Sequence, residues 1–381
     1  MTSLSQRFSK FSTTRLAVLY DDVGGERSVL VAPALDISEQ VVNRIIATTG
    51  GLTFVALTPE RAAAFMLSPM SRISAGAASS AGVHQFMQYT SVEAREGVST
   101  GISAADRATT IRILGAQTPQ PRALIKPGHI FPVETKSGGS LVKAAIPETA
   151  LDIVTLSGFT DAALFVDLLD TRGEFVGSVA AREWAASHDL AVFSISEVIQ
   201  HRLRYEPLIE RLAEASIPTQ AAGEVRAVVY SSRIHDVEHL ALIKGTLDTS
   251  AAVLVRVQVE NTIADVFGGP TPPSRDQIHN SLRALSDRGS GVILYLRKAS
   301  LGESSAFASA PAPERTHEGS ATAGMREYGV GAQILRDMGI THIELLSSTQ
   351  RTLKGLDSFG ITVTSQQAIP EYEEHRKEQA P

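Results

Sequence analysis

The sequence predicts a two-domain protein that mixes helices and strands, and three observations carry that expectation. At 381 residues the chain exceeds the roughly 100–200 residues of one domain. Short apolar runs of strand character alternate with runs whose apolar residues recur at helical spacing. A polar, helix-prone stretch from Glu206 to Ala222 lacks a strand pattern and separates two sets of such elements. Residues 1–207 are therefore expected to form one domain and 225–370 another. Segment 208–224 would connect them, and 371–381 would be a charged, frayed tail.

In chain order, RLAVLYD and SVLVAPAL read as a strand pair around the polar turn Asp21-Asp22-Val23-Gly24-Gly25. Residues 37–49 place Val41, Val42, Ile45 and Ile46 on one helical face and stop at Gly50-Gly51. TFVAL (53–57) is a short strand, and Thr58-Pro59 supplies an N-cap and first-turn proline for a helix through Met66. Ser103 and Asp106 resemble a capping box opening a helix over 104–114. Further helices are expected at 146–158 and 178–187, with strands at 163–169 and 191–195. Beyond the polar stretch, VRAVVYSS, EHLALIKG and AVLVRVQV are strand-like, and Ser274 can cap a helix over 275–288 that Gly289 ends. GVILYLR is another strand, and 299–324 is a long small-residue loop. A helix at 331–338 and the strands HIELL and ITVTS complete the second domain.

Composition excludes several classes. The net charge of −6 argues against a bulk nucleic-acid binder, and no apolar run approaches the roughly 18–20 residues of a membrane span. The basic N-terminus has no apolar core of a secretory signal, so a soluble cytoplasmic protein is expected, with neither nucleic acid nor membrane as partner. Absence of cysteine removes disulfides, thiolate nucleophiles and cysteine-bound zinc.

Generic motifs are sparse: there is no Walker loop, dinucleotide fingerprint, HExxH or GxSxG. The small-residue loop 97–103 leads into a helix N-terminus, where amides and hydroxyls suit a phosphate as well as an ordinary capped turn. His235, Asp236, Glu238 and His239 look like a metal cluster, but the surrounding strand pattern favours a structural role over shared ligation. The other histidines, His129 among them, are scattered. Asp21, Asp22 and Glu26 could hold a divalent cation or simply face solvent in a hairpin turn.

Longer strings are more specific. VSTGISAADRATTIR (98–112), IKPGHIFPVETKSGG (125–139), LTPERAAAFMLSPM (57–70), ETALDIVTLSG (148–158) and SHDLAVFSISEVIQHR (187–202) resemble 3,4-dihydroxy-2-butanone 4-phosphate synthase. From Val225 onward, HLALIKG, VLVRVQVENTIADVFG, GVILYLR, REYGVGAQILRDMG and LKGLDSFGITV are similar to GTP cyclohydrolase II. The resemblance to the fused riboflavin-biosynthesis family implies an α+β fold. An α/β/α sandwich that dimerises, with its active site at the subunit interface, would precede a mixed α/β cyclohydrolase-like domain.

Residue by residue, the resemblance carries Glu26, Glu148 and Asp167 into catalytic positions, with Glu26 a candidate for magnesium. It carries Ser99, Thr100, Ser103 and Lys143 into phosphate binding, and Arg326 and Tyr328 into nucleotide contact. Departures fall on the same motifs. The acidic loop is one residue shorter and has lost two acids, Lys143 replaces an arginine, Ile146 replaces a metal-binding histidine, and Asp167 replaces a glutamate. In the second domain the three zinc-binding cysteines correspond to Asn261, Pro272 and Ser274, so zinc is not expected. The Glu-Gly-Arg-Gly segment is replaced by a run starting at Lys298, Gly324 replaces an aspartate, and Arg351-Thr352 lies in an altered TNNPxK segment. The expected function is a phosphate-ligand-binding or regulatory paralogue, as a homodimer or paired with an active paralogue. Alternatives are an enzyme repurposed for another phosphorylated sugar, or residual synthase activity.

Overall fold

The computed structural model describes residues 3–70, 86–233, 237–267, 274–297, 320–347, 356 and 359–372. The chain divides into two compact units, Met1–Arg202 and Leu203–Pro381.

The first unit contains, in order, α1 (Leu4–Thr14), β1 (Ala17–Tyr20), β2 (Ser28–Pro33), α2 (Glu39–Thr49), β3 (Thr53–Leu57) and α3 (Pro59–Ala64). Then come β4 (Met87–Gln88), β5 (Val92–Ala94), α4 (Ala104–Gly115), β6 (Leu124–Glu134), α5 (Ile146–Leu156), β7 (Ala162–Asp167), α6 (Ser178–Ser187), β8 (Ala191–Ser194) and α7 (Ile195–Tyr205). The sheet runs β4-β6-β3-β7-β2-β1-β8, with β5 on β6. β7 lies antiparallel to both β2 and β3, while β3 and β6 are parallel. Side chains alternate across the sheet, as the pleat requires. Val18, Leu30, Val55, Leu164 and Val166 pack with Val42 and Ile45 of α2, Ile111 and Leu114 of α4 and Ala181 of α6. On the other face Phe54 stacks on Phe165 at 5.2 Å and lies 5.9 Å from Phe131, and α5 covers β1, β2, β3 and β7. Helices on both faces make the α/β/α sandwich. Register then places Asp167 on the Phe165 face, the side that α5 covers.

The expected caps form: Ser103 accepts from the Asp106 amide, and Thr58 from the Arg61 amide. The sequence reading assigned no element to α1. It opens with a reciprocal Ser3–Gln6 capping box and buries Phe8 and Phe11, with Phe8 5.0 Å from Phe193.

In the second unit, β9 (Ile209–Thr219), β10 (Gly223–Ser232), β11 (Val237–Lys244) and β12 (Val253–Val259) precede α8 (Ser274–Arg288). β13 (Gly291–Leu296), α9 (Ser320–Asp337), β14 (His342–Ser347) and β15 (Thr362–Ala368) follow. Its sheet order is β15-β14-β12-β13-β11-β10-β9, antiparallel from β9 to β13 and parallel from β13 to β15. Leu282 and Leu285 of α8 pack on Val225, Leu254, Ile293 and Leu346.

Two expectations are corrected. Segment 208–224 is not merely a connection: β9 pairs with β10 from Ile209↔Ser232 to Thr219↔Gly223. β9 is an exposed edge strand, so it carries no buried alternation, and pairing overrides its helix-prone composition. The loop expected over 299–324 gives way to helix from Ser320, and 299–319 lies outside the described residues. Among the described residues no helix is long and apolar enough to cross a membrane.

Gly115, at the end of α4, sits hard against the chain after β2: a Cβ there would lie 2.5 Å from the Leu35 nitrogen and 2.6 Å from the Ala34 carbonyl carbon. These are backbone atoms that cannot step aside. Gly115→Ala is expected to destabilise the first unit by about 1–3 kcal/mol, read as a lower urea midpoint with an unchanged slope.

Candidate functional site

The loop before α4 was expected to offer donors to a phosphate. Instead, the Asp106 carboxylate accepts from the Ser99 hydroxyl at 2.9 Å and the Gly101 amide at 3.0 Å. These bonds, with the Ser99 hydroxyl foremost, hold its carboxyl below the usual range. The loop thus closes on an anion of its own chain, and Ser103 is committed to the helix cap. Thr100 is exposed. Arg107 fixes the loop to the sheet by donating to the Ile102 carbonyl at 2.9 Å and to the Thr53 hydroxyl, at the start of β3, at 3.1 Å.

Against this loop stands a pair that the sequence reading passed over. Glu93 of β5 is buried, and its Oε2 lies 2.9 Å from Nδ1 of His129 on β6. Its Oε1 has no hydrogen-bond partner among the described residues. Gly101, at φ +81°, makes room for it: a Cβ there would fall 1.5 Å from that oxygen. Nδ1 of His129 faces this carboxylate, and the ring is 41% exposed. The GHIF segment that places His129 was the available sequence signal, but a lone histidine in a strand carries no periodicity that marks it.

Asp167, at the end of β7, is bound bidentately by Arg27, Nε–Oδ1 2.5 Å and Nη2–Oδ2 2.9 Å, with Phe175 under the guanidinium at 5.3 Å. Glu26 lies beside Gly177, where a Cβ would be 3.6 Å from its Oε2. Asp21 and Asp22 have structural roles. Asp21 Oδ1 accepts from the Val23 and Gly24 amides, both at 2.8 Å, and Asp22 accepts from the Ser196 amide at 3.1 Å. At the start of α5, Glu148 is 1% exposed. Its Oε1 accepts from the Lys136 amide at 3.2 Å and lies 4.0 Å from Lys143 Nζ, while Oε2 has no hydrogen-bond partner among the described residues. Burial pushes its pKa up, and Lys143 partly opposes the shift. Ile146 is buried in the same turn.

The structure therefore joins Lys143 to Glu148, Arg27 to Asp167, and Ser99 and Ser103 to Asp106. The residues present do not fit the divalent ion that the resemblance implies. Ile146 offers no donor, Asp167 is filled by a guanidinium, and no three acidic, histidine or cysteine side chains converge among the described residues.

In the second unit Arg326 and Tyr328 are half-buried on α9. A cavity of about 570 Å³ lies elsewhere, against α8, lined by Asp276, His279, Asn280 and Arg283 with Ser347 and Tyr372. The zinc positions do not suit the metal either. Asn261 Oδ1 accepts from the Ala264 amide at 3.3 Å, and the Ser274 hydroxyl donates to Asp265 and accepts from Gln258 Nε2 at 2.9 Å. His239 is buried, and its Nδ1 accepts from the Arg297 amide at 3.1 Å. His235, Asp236, Pro272, Lys298, Arg351 and Thr352 lie outside the described residues.

Comparison with known proteins agrees with this layout. Residues 6–201 match the 3,4-dihydroxy-2-butanone 4-phosphate synthase family, and residues 210–368 match GTP cyclohydrolase II. The chain is 33% identical to riboflavin biosynthesis protein RibBA of Nocardia farcinica, over 97% of this chain and 90% of that protein. It is 30% identical to RibBA of Salinispora tropica, over 97% and 93% respectively. Among solved structures it resembles RibBX, a two-domain 3,4-dihydroxy-2-butanone 4-phosphate synthase from A. baumannii. That likeness has 25% identity and a TM-score of 0.75, covering 97% of this chain and all of that one. Both units, in this order and over nearly the whole length, place the chain in the riboflavin-biosynthesis family that joins a 3,4-dihydroxy-2-butanone 4-phosphate synthase unit to a GTP cyclohydrolase II unit.

Proposed function

We propose that the chain is a phosphate-ligand-binding or regulatory member of this family, with its cyclohydrolase chemistry lost and its synthase site degenerate. The observation that carries the reading is the bidentate Arg27–Asp167 pair. The guanidinium fork takes one lone pair on each carboxylate oxygen and fixes the group's orientation, so Asp167 is tied to Arg27 rather than presented freely to a substrate. Ile146 removes a second element of the same chemistry, and losing one preorganised electrostatic group typically costs about 10²–10³ in rate.

Ligand binding would rest on Lys143, a half-buried point charge, with the exposed Thr100 hydroxyl available on the loop. Lysine binds phosphate without the fork geometry of arginine, so affinity below that of an arginine site is expected. Magnesium is at most a companion of the ligand's own phosphate, with Glu26 the candidate donor. A homodimer, or a heterodimer with an active paralogue, is the assembly this reading favours.

Two observations favour the second reading, residual synthase or repurposed sugar-phosphate chemistry. The Glu93–His129 pair sets a partly exposed imidazole beside the loop, and burial pushes the pKa of Glu148 up, in the direction a general acid needs. The A. baumannii relative is described as a two-domain synthase, which is compatible with synthase activity in a chain of this architecture.

Three outcomes test these readings. Phosphate or ribulose 5-phosphate at ten times its Kd should raise Tm by about 3 °C, and Lys143→Ala should abolish the rise. No rise at millimolar ligand rejects phosphate binding. Formate release from ribulose 5-phosphate with magnesium should be undetectable in the wild type. Its appearance only in a variant with Ile146→His and a restored acidic loop supports degeneracy, and robust wild-type release establishes the second reading. Glu148 sets a pH dependence. Its folded pKa lies above the ordinary 4.5, so its contribution to stability is full below that value and is lost as pH rises through the folded pKa. Glu148→Gln should therefore gain on the wild type as pH rises above about 4.5, and parallel Tm–pH curves would contradict this.

A further inference from the structure

The second unit's cavity is walled on one side by the outer face of α8. Leu282 and Leu285 pack that helix on the core, while Asp276, His279, Asn280 and Arg283 recur at i, i+3, i+4 and i+7 along the other face. These four line the cavity of about 570 Å³, and Glu371 and Tyr372, in the segment after β15, line it from the other side. That segment is held at both ends. Ile369 packs against the core of the second unit, and the Tyr372 hydroxyl donates to Asp287 at 2.6 Å. The Arg283 guanidinium lies 5.6 Å from the centre of the Tyr372 ring, which steadies it.

Arg283, His279 and Asn280 are half-buried, and among the described residues none of their side chains makes a hydrogen bond or an ion pair. A guanidinium cannot shed its charge, and its fork matches two oxygens of a carboxylate or a phosphate. His279 and Asn280, one turn earlier, add nitrogens able to donate on the same side. Asp276 and Glu371 are exposed, so water screens them, and they suit an anion that also carries hydroxyl donors better than a bare inorganic one. The volume is that of a small-metabolite pocket. Arg283 lies about two and a half turns beyond Ser274, on the opposite side of α8 from the position where the family resemblance places zinc.

We propose that this cavity is a binding site for a small hydroxylated oxyanion, a hydroxy carboxylate or the phosphomonoester of a polyol, with Arg283 as its anchor. The site lies wholly within the second unit, so it stands or falls apart from phosphate binding at Lys143.

Hydrogen exchange of the full chain, followed by mass spectrometry, tests this with two probes, malate for the carboxylate source and glycerol 3-phosphate for the phosphomonoester. One fork with two neutral donors is expected to give a Kd of about 1 mM, so each probe is used at about 10 mM. At that occupancy exchange should slow several-fold, up to about tenfold, in peptides from α8 and from 369–372. Arg283→Ala should abolish the protection, and Arg283→Lys should weaken it by about threefold or more, because lysine keeps the charge without the fork. Arg275→Ala, at an exposed position outside the cavity, should leave it unchanged. Should Arg283→Ala not yield folded protein, Arg283→Lys and Asn280→Ala carry the test, each with a loss expected. Which probe protects identifies the source. Protection by neither probe, protection that survives these substitutions, or an equal loss in Arg275→Ala overturns the proposal. Protection confined to peptides of the first unit overturns it too, while leaving phosphate binding at Lys143 intact.

Discussion

Strand β7 has no solvent face, and the first unit is organised around that constraint. It hydrogen-bonds to β2 and β3 on its two edges. Leu164 and Val166 lie in one helix layer while Ala163 and Phe165 face the other. A strand buried on both faces cannot slip by one residue without exchanging its two apolar sets, so its register is fixed. Fixed register decides where Asp167 emerges: at the strand's end, on the side that α5 covers. Gly51 reinforces the placement, because a Cβ there would lie 2.9 Å from the Asp167 carbonyl oxygen.

Given that frame, the charged groups of the first unit settle on one another. Asp106 takes the loop's hydroxyl and amide, and Asp152 is held by Arg202 at 2.9 Å and by Ser140. Arg27 fills Asp167, and His129 meets Glu93. Buried charge is tolerated only when paired, and here the partners come from the chain itself. Glu93 and Glu148 are the exceptions, each with one oxygen lacking a hydrogen-bond partner among the described residues, and burial pushes the pKa of Glu148 up. In the second unit the half-buried Asp265 likewise takes its donors from the chain itself: Gln258, Asn261, Ser274 and Tyr295.

Much of this was legible in the sequence. The hairpin around Asp21, the caps at Ser103 and Thr58, and the apolar helix beginning at Ile146 follow from local patterns that do not need the rest of the chain. The positions that part from the family, Ile146, Asn261 and Ser274 among them, were also visible, because residue identity needs no coordinates. α1 was missed because its apolar stripe is only Phe8 and Phe11 on an otherwise polar segment. β9 was missed because an edge strand exposed on both faces has no reason to alternate.

The sequence by itself determined the two-unit organisation, the elements with buried periodic faces, the family resemblance and the loss of thiolate chemistry. These depend on composition, local spacing and residue identity, which are properties of neighbours along the chain. Only the tertiary structure decided which charges meet. Arg27 and Asp167 are 140 residues apart, Asp265 and Tyr295 are 30 apart, and Glu93 and His129 are 36 apart. Whether a carboxylate faces a ligand, a metal or an internal donor depends on where the sheet register and helix packing carry it. Long-range packing sets that position, and no local spacing encodes it.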